Sequence, residues 1–434
     1  MVADPRFFPR EGRANTAHAA LSLAERDRRW EALRAEMDRC GIDCLFIWGK
    51  GRGQGGNCRW IDNTDSGDRA LVFPRKGAPV TMWAIASWTR WYNESCWEGV
   101  EYIGNEGRDS VAAAQVIRDY GYAKGNIGVV GLAGAGMGAE GTMPYFTYTH
   151  LQQLLPEARF CDAGGILQKL RMYKSSEEIA LIEKAAEIAN IETDAALRNA
   201  RPGVRESELY AIMMSAGLHA GADPVRDYYT ILSSGKGYPT NRRQTDRILR
   251  SGDMLQMGIY TRYGGYWAHP HLAISLGPTD AEYRPMRDAV YEATQNLLSV
   301  LKPGVPWKEV ERVADEPILG RGYYHEITQL HSLGLDGTEP PVAVMSAGRL
   351  PEAALRKRRM LEAGSVRDND AWKAFTGSTP GGRADIEVRP GLILALEVKA
   401  TLEDRLFMEF GPQVIVTETG TRILNPDALD VIEL

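Results

Sequence analysis

Pro202-Gly-Val-Arg-Glu-Ser-Glu208 and Pro303-Gly-Val-Pro-Trp-Lys-Glu309 carry the same punctuation twice, 101 residues apart. In each copy a Pro-Gly-Val turn ends one helical segment, and a glutamate six residues after the proline opens the next. Such a stop is common chemistry, so coincidence is the plain alternative. Read as a repeat, the two copies predict an α+β domain built as a pseudo-twofold pair. The flanking sequence agrees with that reading. Upstream, Ser175 and Glu178 form a capping-box signature before a stripe of Ile179, Ile182, Ala186 and Ala189. Between the copies, residues 252–275 read as two strands joined at Gly264-Gly265. After the second copy, Gly391 to Val398 and Pro412 to Thr417 read as two more.

The region before this domain reads differently. Residues 1–20 form a weakly periodic polar arm. From Ala24 to Cys40, Trp30, Leu33 and Met37 recur at helical spacing, and Gly41 stops the segment. Cys44 to Trp48, residues 70–75 and 80–85, and Ile127 to Val130 read as strands. Residues 21–165 thus alternate strand and helix, which predicts a small α/β domain. Gly51 to Gly56 lacks the GK[ST] ending of a phosphate-binding loop and reads as a connector.

Composition sets outer bounds. The 434 residues are 44% apolar and 25% charged, with 51 basic and 57 acidic side chains and a net charge of −6. That balance argues against a broad nucleic-acid footprint. The five cysteines are odd in number, form no CxxC pair, and stop at Cys161. They suggest neither a disulfide framework nor a zinc ribbon, and fit a reducing compartment. The N-terminus has no apolar core of a secretory signal, and no stretch approaches 18 apolar residues, so a cytoplasmic protein without membrane contact is expected.

Five residues stand out for chemistry. His269 and His271 lie two apart on a strand and share a face unless Pro270 kinks the chain. His331 precedes a stretch of turn residues. Glu397 sits inside the apolar run Leu392-Ile-Leu-Ala-Leu-Glu-Val398, and Glu409 is flanked by Met408 and Phe410. Buried carboxylates are costly without partners, so the residues suggest a metal site or an acid–base site, with satisfied structural residues as the plain alternative.

Several ordered motifs carry a resemblance. LRMYKSSEEIALIEKAAEIAN, PGVRESEL, RRQTDRILRSGD, HSLGLDGTEPP, RPGLILALEVKA and VIVTETG follow one another as in the creatinase/prolidase/aminopeptidase P family. The chain resembles that family from about residue 21 to its end. The resemblance implies a C-terminal pita-bread catalytic domain over 170–434, a creatinase-type α/β domain over 21–165, and a homodimer acting on a small molecule. The family's metallopeptidases hold two metal ions with Asp, Asp, His, Glu and Glu. Those positions fall here on Gly258, His269, His331, Glu397 and Gly411, with Glu409 two residues before the last. A close pair of hard cations needs bridging carboxylates. The departures therefore imply no metal pair and no cofactor; His269, His331 and Glu397 would hold one borderline ion at most. Two histidine positions of the family are Asn241 and Thr338, and the former is the base position of creatinase. The run Gly258, Tyr260, Arg262, Tyr263 is similar to that of ectoine hydrolase.

The expectation is a metal-independent hydrolase of a C–N bond. Glu397, with a raised pKa, is the base; His331 is the acid; His269 shares the proton traffic. His271, Asn241, Tyr266, Tyr260, Glu409 and Thr338 contact substrate. The alternatives are a lyase on the same scaffold, residual Xaa-Pro peptidase activity, and a binding module. The aromatic run Trp83 to Tyr92 is read as core packing or a wall for an aromatic or cationic ligand, and residues 342–388 as a lid, a dimer contact or a solvated basic helix.

Overall fold

A computed structural model describes residues 21–50, 55–64, 69–83, 96–132, 141–224, 231–235, 244–324, 328–344, 386–402 and 405–434. The N-terminal arm, most of the aromatic run after Trp83, Asn241 and nearly all of 345–388 lie outside the described residues. The described chain divides into two compact units between Arg171 and Met172.

In the first unit, α1 (Leu23–Cys40) begins where the Ser22 hydroxyl accepts from the Glu25 N–H, and ends where Gly41 adopts φ 67°. Only glycine takes that conformation cheaply, which is why the sequence stop was reliable. Strands β1 (Cys44–Trp48), β2 (Ala70–Pro74), β3 (Val80–Trp83), β4 (Glu101–Gly104), β5 (Asn126–Val130) and β6 (Arg159–Asp162) form, among the described residues, one sheet in the order β4-β3-β2-β1-β5-β6. Its central strand β1 is buried along its whole length, as the apolar run CLFIW requires. Helices α2 (Gly55–Asp62), α3 (Asp109–Asp119), α4 (Tyr145–Leu154) and α5 (Gly164–Arg171) complete the unit. The connector predicted over Gly51 to Gly56 is thus a helix from Gly55 on. Two turns are too short for a 3.6-residue period to declare itself, and burial of Cys58, Trp60 and Ile61 decides the matter.

The second unit contains the repeat. Helices α6 (Ser176–Asn199) and α7 (Glu206–His219) form the first pair, α8 (Arg284–Val300) and α9 (Trp307–Gly320) the second. The turn glycines take matching conformations, Gly203 at φ 96° and Gly304 at φ 87°. Their N–H groups donate to equivalent carbonyls, Leu249 and Val388, each at 2.9 Å. The capping box is present in full: Ser175 Oγ accepts from the Glu178 N–H, and Glu178 reaches back to the Ser175 N–H.

Each pair backs onto strands. Those of the first half are β7 (Ile231–Ser234), β8 (Met254–Gly258), β9 (Thr261–Tyr263), β10 (Tyr266–Ala268) and β11 (His271–Ser275). The two strands read from the sequence are therefore four. The break falls where the Ile259 N–H donates to Pro270 O at 3.0 Å, and proline offers no N–H in return. Those of the second half are β12 (Thr328–Ser332), β13 (Glu339–Val344), β14 (Ile393–Leu396), β15 (Lys399–Leu402), β16 (Leu406–Glu409), β17 (Gln413–Val416) and β18 (Thr421–Ile423), with β19 (Ile432–Glu433) returning to β11. The hairpin β15–β16 has no counterpart in the sequence reading. Its register places Lys399 opposite Glu409. An isolated bridge, His271 N–H to Gly411 O at 2.9 Å and Gly411 N–H to His271 O at 3.1 Å, ties the halves together within the unit.

Candidate active site

That bridge marks the site. His271 opens β11; His269 stands two residues before it, with its N–H donating to the Gln413 side chain at 3.0 Å. His331 lies within β12, opposite Ala395 of β14. Glu397 follows β14, its N–H donating to Gln329 O at 2.9 Å, and Lys399 opens β15 with its N–H on Gln329 Oε1 at 2.8 Å. The Glu409 N–H is received by Gln256 Oε1 at 3.1 Å. Three buried glutamines thus fix the backbones that carry the cluster. Nearby, Lys174 is buried against Glu339 at 3.0 Å and Ser332 Oγ at 3.2 Å, which anchors the strand end beyond His331.

The side chains converge closely. Glu397 Oε1 lies 2.8 Å from His269 Nε2, 3.1 Å from His271 Nε2 and 2.9 Å from His331 Nε2. Glu397 Oε2 accepts from Lys399 Nζ at 2.6 Å. Lys399 Nζ and His271 Nδ1 both close on Glu409 Oε1, at 2.7 and 2.9 Å. The Tyr260 ring stacks on His269 with centroids 3.6 Å apart. Every member of the cluster except Tyr260 is buried. Pro270 leaves both neighbouring histidines aimed at one carboxylate.

Burial alone would neutralise these groups; their neighbours reverse that. For Glu397, burial raises the pKa, but Lys399, His331, His271 and the hydrogen bond from His269 outweigh it, and the carboxyl is held well below the usual range. Burial likewise opposes the charge on Glu409, yet His271 and Lys399 lower its pKa. Lys399 is pushed down by burial and more strongly up by Glu397 and Glu409. His271 follows the same logic, burial against Glu409 and Glu397, and rises to about 9. His269 is pushed down to about 4 by burial and by the neighbouring charge of His271. Two carboxylates and two cations therefore close a nearly neutral ring.

These findings correct one sequence expectation and place several other residues. Glu397 does not have a raised pKa, because the lysine beside it was not weighed. The Tyr266 hydroxyl donates to Glu178 Oε1 at 3.0 Å, at the start of α6. His271 and Glu409 contact each other, Glu397 and Lys399 within the cluster. Thr338 is half-buried on the turn between β12 and β13. Lys399 was the main omission. Its signal was available, since a lysine two residues from a glutamate in an apolar strand shares its face.

Comparison with known proteins fits this geometry. The model of the metallopeptidase family M24 matches residues 180–418, and that of the creatinase/prolidase N-terminal domain matches residues 29–173. The chain belongs to metallopeptidase family M24, which makes it an enzyme of a hydrolase family. It is 24% identical over 413 residues to the uncharacterized peptidase YqhT of Bacillus subtilis, covering 93% of this chain and 99% of that one. It is 30% identical over 200 residues to the Xaa-Pro dipeptidase of Pyrococcus furiosus, covering 46% of this chain and 56% of that one. The prolidase structure from Thermococcus sibiricus superposes with a TM-score of 0.74 at 18% identity, over 96% of this chain and 100% of that one, which shows a common fold. Among the described residues no helix is long and apolar enough to cross a membrane.

The family name implies metal, and a metal pair does not fit these residues. Gly258 and Gly411 offer no donor. A Cβ at Gly411 would overlap the Leu396 carbonyl oxygen, and one at Gly258 would meet His271 Cε1 at 3.0 Å. The Lys399 ammonium lies between Glu397 and Glu409, where a second cation would need those same oxygens.

Proposed function

We propose that the chain hydrolyses a C–N bond in a small polar molecule at the cluster around Glu397, without the paired metal ions of metallopeptidase relatives. The observation that carries this reading is the buried contact of His331 with Glu397, two residues that stand at metal-holding positions of the family, in a centre where Lys399 supplies the positive charge. The low pKa of Glu397 makes it a poor base, so it serves as the anchor of the site. Proton transfer falls to His331, whose Nδ1 is fixed by Ser332 O at 2.8 Å and whose Nε2 faces the centre. His331 Nε2 takes a proton from water as the water oxygen bonds to carbon; the C–N bond breaks, and the same proton passes to the leaving nitrogen.

The test is a screen of small amides, cyclic amidines, guanidines and Xaa-Pro dipeptides, run in oxygen-18 water. One labelled oxygen is expected in the product of a small substrate, with turnover abolished in His331→Asn and Glu397→Gln. A product without the label would make the reaction an elimination. Cleavage of Xaa-Pro dipeptides alone would overturn the small-molecule reading.

A further inference from the structure

Glu192 is a buried carboxyl that the proposed reaction does not use. It lies on α6, where Gly217 of α7 makes room for it. Burying a carboxyl is costly, and hydrocarbon would fill the same space without that cost. What such a group adds is a fixed geometry, and its partner shows which. Glu192 Oε2 lies 2.7 Å from Thr261 Oγ1, and Thr261 is buried as well. A hydroxyl both donates and accepts, so the contact holds in either charge state of Glu192.

Thr261 opens β9 opposite Ala268 of β10, so the residues just outside this pair, Tyr260 and His269, are also brought together. Their rings stack with centroids 3.6 Å apart and planes inclined by 22°. Ile259 O lies 2.9 Å from His269 Nδ1, and Glu397 Oε1 lies 2.8 Å from His269 Nε2. Those two contacts hold the imidazole at its edge; the face of Tyr260 sets its tilt. Trp267 meets the Tyr260 ring edge to face at 6.2 Å between centroids, and its own Nε1–H donates to Leu335 O at 3.3 Å.

We propose, on the reading of the Glu397 cluster as the catalytic centre, that Tyr260 orients His269 there, and that Glu192 is a positioning residue that fixes Tyr260 through the Thr261 hydroxyl. The route is short. One hydrogen bond, one step of backbone and one ring stack join the interior of α6 to the imidazole beside Glu397. Tilting that imidazole moves Nε2, and with it the carboxylate oxygen that His331 Nε2 also contacts at 2.9 Å. A misplacement of about 1 Å at a reacting centre lowers the rate by about 100-fold.

The test uses the full chain and the amide, cyclic amidine or guanidine that the wild type cleaves fastest. Glu192→Met combined with Thr261→Val replaces both polar groups with hydrocarbon of similar volume and orphans neither partner. A contact that only holds the fold together predicts unchanged kcat in this folded pair. The expected result is a urea midpoint no lower than that of wild type, kcat lowered by about 10- to 100-fold, and KM little changed. Thr261→Ser, which keeps the hydroxyl, is expected to retain most of kcat. A crystal structure of the double variant is expected to show the Tyr260 ring withdrawn from His269. Should the double variant fail to fold, Thr261→Val alone carries the same expectation. Tyr260 is half-buried, so Tyr260→Leu removes the stack with little risk to folding; it is expected to lower kcat as far, with Tyr260→Phe restoring it. Wild-type kcat with an unmoved stack in the double variant would overturn the role of Glu192. Wild-type kcat in Tyr260→Leu would overturn that of Tyr260. If the wild type cleaved none of these compounds, the proposed hydrolysis would fall, and the ring positions in the double variant would still decide whether Glu192 sets the stack.

Discussion

The two halves of the catalytic unit share one backbone plan and fill it by opposite means. At the repeat offset of 101, Thr193 of α6 corresponds to Thr294 of α8, and both buried hydroxyls donate to the carbonyl four residues back, at 3.0 and 2.9 Å. One residue earlier, the halves diverge. Glu192 is buried in the first half, and its counterpart in the second is Ala293. The facing helices compensate: Gly217 of α7 stands where α9 has Ile318. A Cβ at Gly217 would overlap Glu192 Oε1, whereas Ala293 and Ile318 share one apolar core. The first half thus spends this space on a carboxylate that accepts from Thr261 Oγ1 at 2.7 Å, in the strand next to Tyr260. The second half fills it with hydrocarbon. A fold repeat constrains volume and hydrogen bonds, but leaves the chemistry of each half free.

Four changes break or sharpen this contrast. The largest effect is expected where the halves meet. Lys399→Met leaves two buried carboxylates without their ammonium and should cost about 3–5 kcal/mol in urea unfolding. An unchanged midpoint would show that the lysine is not needed to hold the ring.

Next comes Glu192, whose pKa burial raises to about 7, against the weaker opposing effect of the Thr261 hydroxyl. The folded chain then holds a proton that the unfolded chain releases near pH 4.3. Its stability is full below that pH and falls as pH rises through 7, by about 3 kcal/mol. Glu192→Gln should remove this dependence, matching wild type at pH 4 and exceeding it at pH 8.

Gly217→Ala should destabilise by about 1–3 kcal/mol through overlap with that carboxylate. The same change made on Glu192→Ala should turn favourable, because the overlap is gone and alanine is the better helix former by about 1 kcal/mol. Equal effects in both backgrounds would refute the volume exchange. The smallest shift is that of Ser175→Ala, about 1 kcal/mol for the lost cap.

How much of this was legible follows from range. The cap at Ser175, the stop at Gly41 and the paired Pro-Gly-Val turns are local devices, and each was read correctly because its geometry is set within a few residues. His331 and Glu397 were legible through ordered motifs, and the missing ligands at Gly258 and Gly411 told against a metal pair. Helix α2 was too short to show a period, and the strand breaks at Ile259 and Pro270 depend on a contact between strands. The pKa of Glu397 was read in the wrong direction because its apolar neighbours in sequence are not its neighbours in space.

By itself, the sequence determined the class of fold, the repeat, and the place of the candidate site, since turn chemistry, periodicity and motif order are encoded in short spans. Only the tertiary structure decided what the site is made of. Three rings, two of them flanking Pro270 and the third on β12, are each turned by an acceptor on Nδ1, and a lysine from an unforeseen hairpin is set between two carboxylates. The contacts that bring Glu397 to those rings span 66 to 128 residues of sequence, and electrostatic energy there changes steeply with each ångström.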